Sequence, residues 1–81
     1  MRVEIRLFAG LACGNSALPC FGESEFVLEL PDGITVRELR GIMAITPALP
    51  LMSIVNDRHE EEDRVLRDGD RIGMFPPIGG G

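Results

Sequence analysis

Strict alternation of apolar and polar residues marks two segments near the ends of this 81-residue chain. Residues 2–8 read Arg-Val-Glu-Ile-Arg-Leu-Phe, and residues 71–75 read Arg-Ile-Gly-Met-Phe. Side chains alternate between the two faces of a strand, so one face of each segment carries the aliphatic residues. By the same parity Phe8 and Phe75 fall on the opposite face. The pattern predicts two half-buried strands, each with an outward aromatic ring at its end.

Two further strands and one helix are predicted between these segments. Residues 25–30 alternate again, and residues 51–58 form an apolar run that also favours a strand. Thr35 followed by Glu38 is a capping box, the usual start of a helix. Apolar residues then recur at helical spacing, which predicts one short amphipathic helix over residues 35–44.

The connecting segments carry the remaining candidates for chemistry. Residues 9–24 form a long loop, and long loops are often functional, although its composition does not say what for. Cys13 and Cys20 lie in this loop and are predicted to be free, partly buried thiols, with a disulfide or a redox or metal role as the alternatives. His59 next to the acidic run at 60–63 could suggest a metal, but consecutive charges favour a solvated loop.

Composition and charge narrow the classes of partner. The 44% of hydrophobic residues suffices for the core of one small domain. Thirteen acidic against eight basic residues give a net charge of −5, which argues against a nucleic-acid partner because phosphates would be repelled. No apolar run approaches the roughly 20 residues of a membrane span. We therefore expect a cytoplasmic protein with no membrane or nucleic-acid partner.

The order of these elements predicts the fold. A strand, a long loop, a strand, a helix and two more strands give an α+β protein. If the last strand pairs in parallel with the first, the result is a mixed four- to five-stranded sheet with one main helix packed on one face. That arrangement is the β-grasp, or ubiquitin-like, fold, and we assign it to residues 1–75. It would bring Phe8 and Phe75 together on the open face of the sheet.

Residues 76–81, Pro-Pro-Ile-Gly-Gly-Gly, are predicted to form a flexible tail. Prolines favour an extended conformation, and glycines lack the Cβ that would block entry into a narrow cleft. The only reactive group at the tip is the α-carboxylate of Gly81. No Ser/His/Asp or Cys/His arrangement suggests catalysis by the chain itself. The tail is therefore the feature that the domain is expected to present.

Several motifs together resemble the MoaD/ThiS sulfur-carrier family, most closely the small subunit of molybdopterin synthase. The motifs are Leu7-Phe8-Ala9-Gly10, Thr35-Val36-Arg37-Glu38-Leu39, Val55-Asn56, Leu66-Arg67-Asp68-Gly69-Asp70-Arg71-Ile72 and Phe75-Pro76-Pro77-Ile78-Gly79-Gly80-Gly81. The resemblance covers the whole chain, and its Pro-Pro-x-x-Gly-Gly ending is the most specific part. Gly79 departs from the pattern, since Ala, Ser or Thr is commoner before the last two glycines.

The resemblance implies a function without catalysis by this chain. An E1-like adenylating enzyme (MoeB/ThiF-like) would use ATP to adenylate the Gly81 carboxylate, and a sulfur-donating enzyme would convert it to a thiocarboxylate. The sulfur would pass to a pterin precursor in a large, MoaE-like synthase subunit. The chain would bind no cofactor and no metal, and would be a substrate and subunit of these enzymes.

The resemblance also assigns roles along the tail and leaves alternatives open. Gly79, Gly80 and Gly81 would form its slim end, and Pro76 and Pro77 would hold it away from the domain. Partner binding would fall to three apolar residues, Phe8, Phe75 and Ile78. The alternatives are a sulfur carrier for thiazole, tungsten-pterin or cysteine synthesis, a ubiquitin-like modifier that forms isopeptide bonds, and an interaction domain with an inert tail.

Overall fold

The computed structural model describes residues 1–77. Five strands and one helix follow in the order β1 (Arg2–Leu7), β2 (Glu25–Glu29), α1 (Val36–Ile42), β3 (Met52–Val55), β4 (Arg58–Glu60) and β5 (Arg71–Phe75). The strands form one sheet in the order β2-β1-β5-β3-β4. The β1–β5 pair is parallel and the other pairs are antiparallel. This is the predicted α+β, β-grasp topology.

One face of the sheet and the helix enclose the core. Most of the residues predicted to point inward are buried, among them Val3, Ile5 and Leu7 of β1, Ile72 and Met74 of β5, and Val36, Leu39 and Met43 of the helical segment. Phe26 of β2 and Ile42 of α1 are only half-buried. The predicted capping box is present, because Thr35 Oγ1 accepts from the Glu38 N–H at 3.2 Å and Glu38 Oε1 accepts from the Thr35 N–H at 3.0 Å. Within residues 1–77 no helix combines the length and hydropathy that crossing a bilayer requires.

The predicted single strand over 51–58 is wrong at its second half. Asn56 and Asp57 have φ of 50° and 70°, so the backbone reverses there in a two-residue turn. The chain then returns as β4, which pairs with β3 and places His59 opposite Ile54. Asn and Asp tolerate positive φ better than other non-glycine residues, and that was the overlooked signal.

The acidic run at 60–63 is only in part the predicted solvated loop. Glu60 belongs to β4 and pairs with Arg64 at 2.8 Å. Glu62 pairs at 3.2 Å with Arg40, which is buried and also donates to two backbone carbonyls. Among residues 1–77, no group of three or more His, Cys, Asp or Glu side chains could hold a metal ion. Glu60 and Glu62 of the run are therefore held in ion pairs with arginines of the domain.

The prediction of free thiols is also wrong, because Cys13 and Cys20 form a disulfide with a Cα–Cα distance of 5.7 Å. Both residues are buried in the core. The loop folds back on itself here, since the Cys13 N–H donates to Glu23 O at 2.9 Å and the Gly22 N–H donates to Cys13 O at 2.8 Å. This return brings the two cysteines together, and spacing along the sequence did not reveal it.

The long loop is attached to the C-terminal end of α1. The Gly14 N–H donates to Met43 O at 2.8 Å, and Asn15 Nδ2 donates to Ile42 O at 2.7 Å. These bonds satisfy carbonyls that have no partner inside the helix. The loop therefore runs along the helix side of the sheet.

Candidate functional site

The strands β1 and β5 determine where the tail leaves the domain. Because they run in parallel, both end at the same edge of the sheet, with Leu7 opposite Met74. The Phe8 N–H extends this ladder by donating to Met74 O at 3.0 Å. Phe8 and Phe75 therefore occupy neighbouring positions, as predicted, and Pro76 and Pro77 follow directly.

A tight turn after Phe8 diverts the chain from the open face. Ala9 and Gly10 have φ of 59° and 82°, and the Leu11 N–H donates back to Phe8 O at 3.2 Å. Beyond this turn the loop runs to the helix side. The open face around Phe8 is therefore left uncovered by the 9–24 segment.

The aromatic rings differ in their surroundings. Phe8 is 48% exposed, and its ring lies over Gly73, where an ideal Cβ would be 3.2 Å from Phe8 Cε2. Phe75 is half-buried and lies opposite Met52 of β3. The open face thus carries one ring laid across the central strand and a second at the edge where the tail begins.

A shallow groove runs across the middle of this open face. Gly73 forms part of its floor, between Arg6 of β1 and Ile54 of β3. Phe8, Val27 and Ile54 supply its apolar lining, and Val27 is 41% exposed. An exposed apolar surface of this kind is a usual feature of docking sites.

Charged side chains on the open face pair mainly with one another. The pairs are Arg6–Glu25 at 3.3 Å, Arg71–Asp57 at 3.6 Å and Arg2–Glu29 at 4.0 Å. Exposed pairs of this kind contribute little to stability. Their effect is to frame the groove with a rim of nearly balanced charge, although the whole chain carries −5.

A buried carboxylate anchors β5 at the end opposite the tail. Asp70 is 5% exposed and accepts from the Arg67 N–H at 2.8 Å, Asn56 Nδ2 at 2.7 Å and Arg64 Nη1 at 2.5 Å. Burial acts to raise the pKa of Asp70, but these hydrogen bonds and the Arg64 charge outweigh it, so the pKa is lowered. Asn56 Oδ1 in turn accepts from the Arg71 N–H at 2.9 Å.

Comparison with known proteins identifies the family. The family model of the ThiS family matches residues 15–81. The chain belongs to the ThiS family. A search of curated protein sequences returns no match. The family groups small ubiquitin-fold proteins that act as sulfur carriers or modifiers, and the recognition made from the sequence motifs is thereby confirmed.

Solved structures similar to this ThiS-family chain share its fold. SAMP1 from Haloferax volcanii has a TM-score of 0.67 at 20% identity over 100% of both chains. A molybdopterin converting factor subunit 1 from Pyrococcus furiosus has a TM-score of 0.63 at 27% identity, over 95% of this chain and 98% of that one. A chain from the complex of subunits 1 and 2 of molybdopterin-converting factor from Helicobacter pylori has a TM-score of 0.59 at 29% identity, over 100% of both chains.

The structure describes some of the predicted site residues of this ThiS-family protein and not others. It places Phe8, Phe75, Pro76 and Pro77 at one edge of the sheet. Ile78, Gly79, Gly80 and Gly81 lie outside the described residues, so the roles assigned to them stay predictions. Sequence reasoning missed two features of the site. One is the close contact of the Phe8 ring with Gly73, which a glycine inside a predicted strand could have indicated. The other is the Asp70 network, signalled only by a turn.

Proposed function

We propose that this ThiS-family protein is a sulfur carrier that works through the carboxylate of Gly81. A carboxylate is a poor acyl donor, so an E1-like adenylating enzyme (MoeB/ThiF-like) would first join it to AMP at the expense of ATP. Sulfur at the oxidation level of sulfide, delivered by a sulfur-donating enzyme, would then attack the acyl carbon, displace AMP and leave a thiocarboxylate. The observation that carries this proposal is the family match over residues 15–81, which includes the terminal glycines.

We further propose that the sulfur is used in molybdopterin synthesis, in the active site of a large, MoaE-like subunit. Two of the similar structures are described as belonging to molybdopterin converting factors, and the Helicobacter pylori structure is a complex of subunits 1 and 2. The chain would serve as the non-catalytic small subunit and bind no cofactor of its own. A carrier for thiazole or tungsten-pterin synthesis is the nearest alternative.

Docking of such partners would use the open face and the tail. Phe8 and Phe75 lie next to each other at the point where Pro76 begins the tail. A partner that covers both rings would therefore lie at the base of the tail. Large aromatic side chains often contribute most of the affinity of protein interfaces. Ile78 would add a third apolar contact in this arrangement.

A protein modifier is the second candidate, because the Haloferax volcanii structures with the same fold include SAMP1 and a small archaeal modifier protein. At 20% identity this likeness extends to the fold alone. The two functions share the activation step and differ in the acceptor of the activated Gly81. A modifier would be found joined to a lysine of another protein, since none of the 81 residues of this chain is lysine.

Reconstitution with the adenylating enzyme, ATP and a sulfur donor tests the proposal. We expect the intact mass to rise by the replacement of one oxygen with sulfur, and deletion of Gly80 and Gly81 to abolish this change. The deletion should leave the melting temperature unaltered, which serves as the control for folding. A protein that keeps its original mass under these conditions would contradict the sulfur-carrier function, and a Gly81–lysine isopeptide would favour the modifier.

A further inference from the structure

The central strand of the sheet contains a glycine that its backbone does not require. β5 is hydrogen-bonded on both sides, to β1 and to β3, and Gly73 is its middle residue. Its φ is not among the positive values, so an L-amino acid could adopt the same backbone conformation. Glycine in a strand interior is unfavourable by up to about 1 kcal/mol relative to β-branched residues. The reason for glycine here must lie in the space above it.

That space is occupied by the ring of Phe8. A Cβ at position 73 would lie 3.2 Å from Phe8 Cε2, closer than ordinary van der Waals contact. Because Ile72 and Met74 point into the core, any side chain at 73 would rise on the open face. Gly73 therefore lets the ring lie low across β5, although Phe8 as a residue remains 48% exposed.

We infer that Gly73 is a positioning residue, which seats Phe8 against the sheet and opens beside it a groove for an uncharged apolar side chain of the docking partner. This inference rests on the proposed function, since it concerns the partner that binds the open face. Seating the ring before binding reduces the conformational entropy that the interface would otherwise lose. A side chain at position 73 would fill the floor of the groove and lift the ring.

The apolar lining of the groove favours an apolar occupant, and the basic groups around it are already paired. The basic groups nearest to it, Arg6 and Arg71, already have Glu25 and Asp57 as partners at 3.3 and 3.6 Å. An acidic group of the partner would have to displace one of these pairs or remain unpaired after losing its water, and a basic group would have only the Glu4 carboxylate, at the rim, as a partner outside these pairs. An aliphatic or aromatic side chain would instead cover Phe8, Val27 and Ile54, which line the groove.

The test uses Gly73→Thr, because stability and affinity should then move in opposite directions. Threonine is favoured in strands, so the resistance of the domain to urea should be retained or increased. Its side chain occupies the groove and displaces Phe8, so the affinity for the purified large synthase subunit, measured by calorimetry, should fall at least about tenfold. Arg2→Thr is the matched control, since it puts threonine on the same face outside the groove and should bind normally.

Two further measurements keep the inference open to refutation. The Gly73 Hα resonances should carry a ring-current shift in the wild type that Phe8→Leu abolishes, and an unchanged spectrum would overturn the proposed seating. If Gly73→Thr fails to fold, Gly73→Ala decides, because its single methyl group should still lower the affinity several-fold. Wild-type affinity in a folded Gly73 variant would overturn the inference. The sulfur-carrier proposal would stand in that case if the wild type still acquires its thiocarboxylate.

Discussion

Among all single Asp→Asn and Glu→Gln substitutions in this domain, Asp70→Asn should be the most destabilising. The wild-type carboxylate accepts three hydrogen bonds while 5% exposed, one of them from the Arg64 guanidinium. Asparagine keeps the shape but removes the charge, and it turns an NH2 group toward existing donors. We expect a loss of about 3 kcal/mol near neutral pH, since hydrogen bonds to buried charges are worth about 1.5–3 kcal/mol each and are partly retained here.

The pH dependence of this loss gives a sharper test than its size. The folded-state pKa of Asp70 is lowered below the ordinary value of about 3.9. Its contribution is therefore complete above that value and is lost as the pH falls through the folded-state pKa. The stability difference between wild type and Asp70→Asn should stay constant down to about pH 4 and shrink below it.

Urea unfolding followed by circular dichroism measures both quantities. For a domain of this size, a loss of about 3 kcal/mol corresponds to a fall in melting temperature of roughly 12–24 °C. Asp63→Asn is the matched control, because Asp63 is exposed and should change stability by less than about 0.5 kcal/mol. A difference that is below about 1 kcal/mol, or that persists undiminished in acid, would refute the role assigned to the charge of Asp70.

Two further predictions concern the loop and the docking surface. Dithiothreitol should lower the free energy of unfolding by about 2–3 kcal/mol, because the Cys13–Cys20 disulfide closes a short loop in the core. A Cys13→Ser/Cys20→Ser variant should not respond to the reductant. Equal stability of the wild type with and without dithiothreitol would contradict the disulfide. Phe75→Ala should lower the affinity for the large subunit at least about tenfold, measured by calorimetry. The same variant should lose less than about 2 kcal/mol of stability in urea unfolding. Unchanged affinity would count against the docking role.

The sequence predicted the parts of the fold that depend on local periodicity. β1 and β5 were found because each has one buried and one open face, which makes residues alternate. The helix start was found because Thr35 and Glu38 complete their capping bonds within one turn. β4 was missed because the turn before it uses Asn56 and Asp57 at positive φ without a glycine. Its three residues also merge with the acidic run that follows.

The features of the site that were missed depend on contacts between distant segments. Parity placed Phe8 on the open face, but it did not show that the ring lies over Gly73, sixty-five positions later. The Asp68-Gly69-Asp70 motif predicted a turn, but not that the last carboxylate points inward to meet Asn56 and Arg64. The disulfide likewise needed the loop to fold back on itself. Each of these contacts follows from tertiary packing, which a single sequence does not encode in a readable pattern.

The two ends of β5 separate the stability of the domain from its proposed binding. At its start, the buried carboxylate of Asp70 and the amide of Asn56 join the strand to the β3–β4 turn. At its end, Phe75 and the neighbouring Phe8 offer partly exposed rings. Five residues of strand place these ends about 13 Å apart, beyond the range at which mutational effects usually couple. The stability losses of Asp70→Asn and Phe75→Ala should therefore add within about 0.5 kcal/mol, whereas only Phe75→Ala should weaken docking. A strand anchored in this way can present the same rings to successive partners, because binding at the Phe75 end leaves the stabilising contacts at the Asp70 end unchanged.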